Sequence, residues 1–416
     1  MIYDIKFQIE QKCGFVVKTK RDCIVLSDLV YYETSLILNY NTLRRFFGIV
    51  RGTEASVSTL NILCIYLGYE SYSQFCAKYP LKKSWDSQQR IFNIIYEDPI
   101  SVLKIIEDNY NNSNNYIELL ITLVYGVSIQ KKYKSLKFIF NSELLNPKNF
   151  SYSQMLYFGN CIGPLLKKSE VDYLKLIKTK YFSILFFNTY IDINSLNGLY
   201  GLYALKLYNY TSDKQQKLFI NCILEFKNLL NKKDCKIVIT SLKFKEIHPI
   251  LFGRYMSILL FNKNKNKKEK IQHVINFMDQ IKYQNNLVDY LYEFTFACII
   301  NRDIDILKLI IFETVNFKIS KPYYQEYHYS IFKLRNLIVA SSNGDDVLES
   351  IEDFKKNSFF RNSHKEFIEI IILILEYHNL GKDKSKLKEY QSLAQKLNYP
   401  IFDKKYCLNY FNSYLI

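Results

Sequence analysis

Residues 39–48 read Asn39-Tyr40-Asn41-Thr42-Leu43-Arg44-Arg45-Phe46-Phe47-Gly48. The stretch carries a start, a body and a stop. Asn39 is a good N-cap, because its side-chain oxygen can accept from an early helical amide that has no partner. Gly48 tolerates the left-handed backbone that ends a helix. Between them Leu43, Phe46 and Phe47 recur at helical spacing and predict an inward face. Tyr40, Asn41, Arg44 and Arg45 are left outside. Such a face suits a DNA major groove, where Asn pairs bidentately with adenine and Arg with guanine.

Working outward, Ile2, Ile5, Ile9 and Cys13 predict a first helix that Gly14 stops. Thr19 with Asp22 three residues on reads as a capping box for a second helix, whose apolar positions are Cys23, Leu26, Leu29 and Val30. The helix at 40–47 is the third. A loop, Ile49 to Ser56, carries Arg51. Ser58 is expected to open a fourth helix with Leu60, Leu63, Cys64 and Leu67 inward and Gly68 as its stop. Ser71 opens a fifth, with Tyr72, Phe75 and Cys76 inward.

Five short helices in about eighty residues, with Leu26-Ser27, then Asn39-x-x-Thr42-Leu43-Arg44-Arg45-x-x-Gly48, then Ser58-Thr59-Leu60-x-x-Leu63-x-x-x-Leu67-Gly68, resemble the Cro/C1-type (XRE-like) helix-turn-helix. The interval from Ser27 to Asn39 is longer than in the compact repressors, so a longer second helix or a wider turn is expected. The resemblance implies a DNA-binding head over residues 1–80 whose third helix reads bases. Tyr40, Asn41 and Arg44 are the candidates for base contacts. Arg45 and Arg51, with Lys18, Lys20 and Arg21 near the start of the second helix, are the candidates for phosphates. Thr42 stays open between a phosphate contact and packing. Residues 1–80 carry nine Lys/Arg against seven Asp/Glu, a net charge of only +2, yet Arg44, Arg45 and Arg51 fall within eight positions with no acid among them.

Beyond the head, Pro80 to Ser84 reads as the core of a short linker, set at 81–90, and Trp85 as a wedge between head and body. Residues 91–416 then read as helices with short Asn-, Ser- and Lys-rich turns. Leu103-Lys104-Ile105-Ile106, Leu136-Lys137-Phe138-Ile139, Leu174-Lys175-Leu176-Ile177 and Leu307-Lys308-Leu309-Ile310 repeat one pattern, the first three 33 and 38 residues apart. Later helix starts are expected at Lys267, Gly344 and Lys382. A step of roughly 35 to 45 residues is that of helix hairpins, so the body resembles a degenerate tetratricopeptide-like α-solenoid. Gly198, Gly201 and Ala204 are expected to let two helices approach closely. Tyr200, Tyr203, Tyr208, Tyr323 and Tyr324 enrich the body in aromatic faces of the kind that suit peptide capture, but most Tyr recur at helical spacing and read individually as core or half-core. Asn262 to Lys270 is the densest basic segment, either a solvated loop or an auxiliary phosphate contact.

The 416 residues carry +16 net charge, which fits a polyanionic partner but also fits a chain rich in Lys, Asn, Ile, Tyr and Phe. Twelve Gly and seven Pro are too few for a β-sandwich or barrel, so an all-α chain is expected. The nine Cys lack metal spacing. Cys13, Cys23, Cys64 and Cys76 read as small buried hydrophobes, and reduced thiols point to the cytoplasm. The N-terminus is not that of a signal peptide, and the run Ile370 to Leu375 is too short to span a bilayer.

No phosphate-cradling Gly-rich loop, nucleophile elbow or His-Glu-x-x-His motif is present. His248, His273, His328, His364 and His378 stand apart in sequence. Asp345-Asp346 and the Glu366/Glu369 pair read as helix-start or surface acids. The expectation is therefore a non-enzymatic regulator without catalytic residue, cofactor or metal. It would be a cytoplasmic homodimer on double-stranded DNA, with a peptide or protein effector in the body and no membrane contact. The competing class is an interaction scaffold whose head is an adaptor or dimerisation module.

Overall fold

The computed structural model describes residues 2–51, 55–78, 89, 91–93, 95, 98–109, 116–236, 240–261, 266–284, 287–314, 326–358 and 364–412. The linker at 81–90 lies almost wholly outside these residues. Trp85, Tyr323, Tyr324 and the first four positions of the Asn262–Lys270 run lie outside them too. The described residues form an all-α protein with no strand among them. None of their helices is long and apolar enough to cross a membrane. The chain divides into two compact units, Met1–Leu123 and Val124–Ile416.

In the first unit α1 (Ile2–Cys13), α2 (Lys20–Thr34), α3 (Tyr40–Phe46), α4 (Val57–Tyr66) and α5 (72–78) follow the expected order. Gly14, Gly48 and Gly68 all take left-handed backbone after helices, as stops. The α2 capping box is formed: Asp22 N donates to Thr19 Oγ1 while Thr19 N donates to Asp22 Oδ2 at 2.7 Å. Ile5, Ile9, Cys23, Leu26, Val30, Leu43, Leu60 and Leu63 share one buried core. One boundary differs from expectation: the α4 cap is Ser56, whose Oγ accepts from Thr59 N, so the helix begins before Ser58. Of the two alternatives for the interval after Ser27 the second helix is the longer one, running two turns further with no Gly or Pro to interrupt it. The first unit continues with α6 (Pro99–Asn109), and its boundary with the second falls within α7 (Tyr116–Ile129).

The second unit begins irregularly. After α8 (Tyr133–Ile139) come 3₁₀ turns, α9 (Tyr152–Lys168), a 3₁₀ turn Tyr173–Leu176, a π-helical turn Ser183–Phe187, α10 (Leu199–Tyr210) and α11 (Lys214–Leu230). Leu174-Lys175-Leu176-Ile177 is therefore not an α-helix like its Leu307 counterpart. Lys180 N donates to Asn141 Oδ1 and Tyr181 N to Phe140 O, which draws the chain away after one turn. Gly201 also differs from expectation. A Cβ there would meet the Leu196 carbonyl oxygen at 1.8 Å, so its role is to let the preceding turn close on its own helix.

From residue 249 the unit turns regular. The helices are α12 (Pro249–Leu260), α13 (Lys267–Ile281), α14 (Leu287–Asn301), α15 (Ile304–Thr314), α16 (Glu326–Asn343), α17 (Leu348–Asn357), α18 (Lys365–Asn379) and α19 (Lys384–Leu397). A short α20 (Lys404–Leu408) follows. Helices α12, α14, α16 and α18 pack each on the next, and α13 packs on α15. Helix α13 starts at the expected Lys267. Gly344 and Lys382 instead take left-handed backbone just ahead of α17 and α19. Fourteen of the fifteen residues of α14 are buried. It lies so close to α12 that a Cβ on Gly253 would stand 2.0 Å from the Tyr290 carbonyl oxygen.

Candidate nucleic-acid interface

Asn39 begins α3 as expected: its Oδ1 accepts from Asn41 N at 2.8 Å. Leu43 and Phe46 are buried, Phe47 half-buried. Arg44 and Arg45 occupy the last turn, where their charge complements the helix dipole. The helix has seven residues, about 10 Å at 1.5 Å per residue. That length spans about three base pairs of groove at 3.4 Å each.

The connection into α3 does not turn tightly at the end of α2. Ser27 Oγ donates to Leu38 O at 2.6 Å, and Lys20 Nζ lies 5.4 Å from the centre of the Tyr40 ring. Residues 35–39 thus run back along α2 instead of turning tightly at its end. The first residues of α2 and α3 come to lie side by side.

The candidate residues separate accordingly. Lys20 and Tyr40 meet through the cation–π contact. Asn41 and Arg44 are joined, Arg44 Nη1 donating to Asn41 Oδ1 at 3.1 Å. Arg44 is half-buried and its Nε is a buried donor with no hydrogen-bond partner. Tyr40, Asn41 and Thr42 are half-buried as well. Lys18, Arg21, Arg45 and Arg51 are exposed. Asp22, the acid in the first turn of α2, spends its carboxylate on the Lys18 and Thr19 amides. Those bonds hold its carboxyl below the ordinary range, so it stays charged and occupied.

Two features of the head carried no local signal. Lys12 Nζ donates to Glu33 Oε2 and to Tyr66 O, both at 2.5 Å, and lies over the Tyr66 ring. It clamps α1 to α2 and α4 through partners 21 and 54 residues away. The far end of α2 and the return segment leave Tyr31, Tyr32 and Ile37 exposed, Tyr32 to 88 %. A repeated Tyr pair beside Ile37 was the only sequence sign of that patch.

Of the four head cysteines, Cys23 and Cys64 are buried, while Cys13 and Cys76 are half-buried. Burial pushes the Cys64 thiol up to about 12, so it packs as a neutral side chain. Among the described residues no group of three or more His, Cys, Asp or Glu is placed to hold a metal ion. The histidines are less scattered in space than in sequence: His328 and His364 both pack on Tyr292, at ring-centre distances of 4.1 and 6.0 Å. Compared with protein-family models, curated proteins and solved structures, the chain matches none.

Proposed function

We propose that this chain is a sequence-specific DNA-binding transcriptional regulator, in which a Cro/C1-like head presents α3 to the major groove. The observation that carries the reading is the juxtaposition of the α2 and α3 starts. Lys20 and Tyr40, Asn41 and Arg44 make one basic and amide-bearing surface, while the nearby Asp22 carboxylate is consumed by backbone amides. Asn41 and Arg44 act as a linked base-reading pair, and Lys18, Arg21, Arg45 and Arg51 contact phosphates.

The body is read as a tetratricopeptide-like array that senses a peptide or protein and mediates self-association. Its support is the spacing of Pro249, Leu287, Glu326 and Lys365, which are 38, 39 and 39 residues apart and head helices that pack in succession. The regulator is non-enzymatic, acts in the cytoplasm and works as a homodimer, since paired half-sites multiply specificity.

The test is selection from random DNA by the purified chain. One sequence should be enriched, and Asn41→Ala and Arg44→Ala should each remove that preference with the circular dichroism unchanged. Binding should weaken steeply with salt. Retained preference in both variants sinks the groove assignment. A second reading, a protein-docking scaffold, is favoured by the exposed Tyr31, Tyr32 and Ile37; absence of any enriched DNA supports it.

A further inference from the structure

The second unit contains a cavity of about 460 Å³, within the range of small-molecule sites. Its walls come from the starts of α9, α11 and α12, the chain after the π-helical turn, and one face of α14. Tyr152 and Phe219 are among the apolar and aromatic side chains that make most of the lining.

The polar groups on this cavity are poorly provided for. Arg254 is 5 % exposed. Glu293 Oε1 stands 2.6 Å from its Nη2, engages that nitrogen and balances the charge. One carboxylate contact does not use all five guanidinium donors. Gln216 Nε2 and Asn188 Oδ1 are buried without partners. Such groups are costly to leave unmade, and a ligand in the cavity can satisfy them. Both residues line the cavity, and rotating an amide by half a turn exchanges its oxygen for its NH₂. Helix α12 opens on the cavity with no side-chain cap on its first turn. Of the two acids on the cavity, Glu293 is paired with Arg254 and Asp213 is committed to capping α11, accepting from Gln216 N at 2.6 Å. His248 is kept neutral by burial and by Arg254.

The geometry points to a binding site for a small organic carboxylate with an aromatic or branched apolar body. The head would take the Arg254 donors that Glu293 leaves, with the Gln216 amide, beside the uncapped α12 start, where the helix dipole favours an anion. The body would lie against Tyr152 and Phe219. This site shares no residue with the head, so it stands or falls independently of DNA binding.

Titration calorimetry of the full chain with 3-phenylpropionate tests it, against 3-phenyl-1-propanol and 3-phenylpropylamine as the same body with other heads. The carboxylate should bind at least about tenfold tighter than the alcohol, and the amine weakest. Gln216→Leu should lose about tenfold for the carboxylate and leave the alcohol unchanged. The double change Arg254→Met with Glu293→Met, which removes both buried charges together, should abolish the preference. A carboxylate no tighter than the alcohol, or a Gln216→Leu protein with unaltered affinity, overturns the assignment. If the double variant fails to fold, the Gln216 comparison decides alone.

Discussion

Arg44 in the head and Arg254 in the body are two arginines held in opposite ways. Arg44 is half-buried and bonded to Asn41, three residues earlier on its own helix. Arg254 is enclosed, and its countercharge, Glu293, arrives from another helix 39 residues later. The Asn41–Arg44 pair is organised within one helix turn and left near solvent. The Arg254–Glu293 pair is organised through tertiary packing and sealed in. A change in the body should therefore act through fit and charge burial, and a change in the head through caps and one small core.

The largest break in that contrast should come from Gly253→Leu. With the Tyr290 carbonyl oxygen 2.0 Å from the Cβ position, α12 and α14 must separate. A loss of more than about 3 kcal/mol is expected, read as a large drop in Tm by far-ultraviolet circular dichroism. A Tm unchanged within a few degrees would show that the helices can slide apart cheaply.

Leu43→Ala comes next. It removes a fully buried side chain from the small head core and should cost about 3 kcal/mol. Urea unfolding should show the loss. An effect under about 1 kcal/mol would mean that α3 is not anchored by that core.

His328 provides the pH arm. Burial lowers it to about 3, and Asp289 at 3.8 Å does not offset that. The unfolded chain takes up the proton below about 6.5 and the folded chain does not. Stability is therefore whole above pH 6.5 and falls with acidification toward 3. Between pH 6.5 and 5 the loss from this group is about 2 kcal/mol at 1.36 kcal/mol per unit. His328→Phe should flatten that part of the stability–pH curve; an unchanged slope refutes the assignment. Desolvation raises Asp303 to about 6, which works in the opposite sense, but it is common to both proteins.

The smallest effect should be Asn39→Ala, which removes the α3 cap at about 1 kcal/mol. Asn39→Asp should restore most of it. If Asp rescues nothing, the cap bond is not what starts α3.

The same contrast explains what could be read from the sequence. Thr19, Asp22, Asn39, Gly14, Gly48 and Gly68 act over three or four residues, so the head helices were legible from their ends. Ser56 and Ser58 are both cap formers, and only the extended backbone at Ser56 separates them. The four-residue pattern at Leu174 and at Leu307 is the same text with different outcomes. The first is overruled by bonds to Asn141 and Phe140, which no local pattern contains. Within the candidate interface the residue types were legible. The Asn41–Arg44 bond, the return of residues 35–39 along α2 and the Lys12 clamp depend on where distant segments pass. The cavity beside Arg254 was illegible for the same reason, its walls being drawn from five separate segments.

Helix α14 has a consequence for the order in which the chain can be made. With every residue but Asn301 buried, it has no face to leave in water. Part of its cover, α12, precedes it in the chain, but α15 and α16 follow it. On a ribosome the helix therefore emerges before its shield is complete. Until residues through Asn343 have left the tunnel, the nascent body carries an adhesive helix, and a pause in that interval is where a holding chaperone would find its substrate.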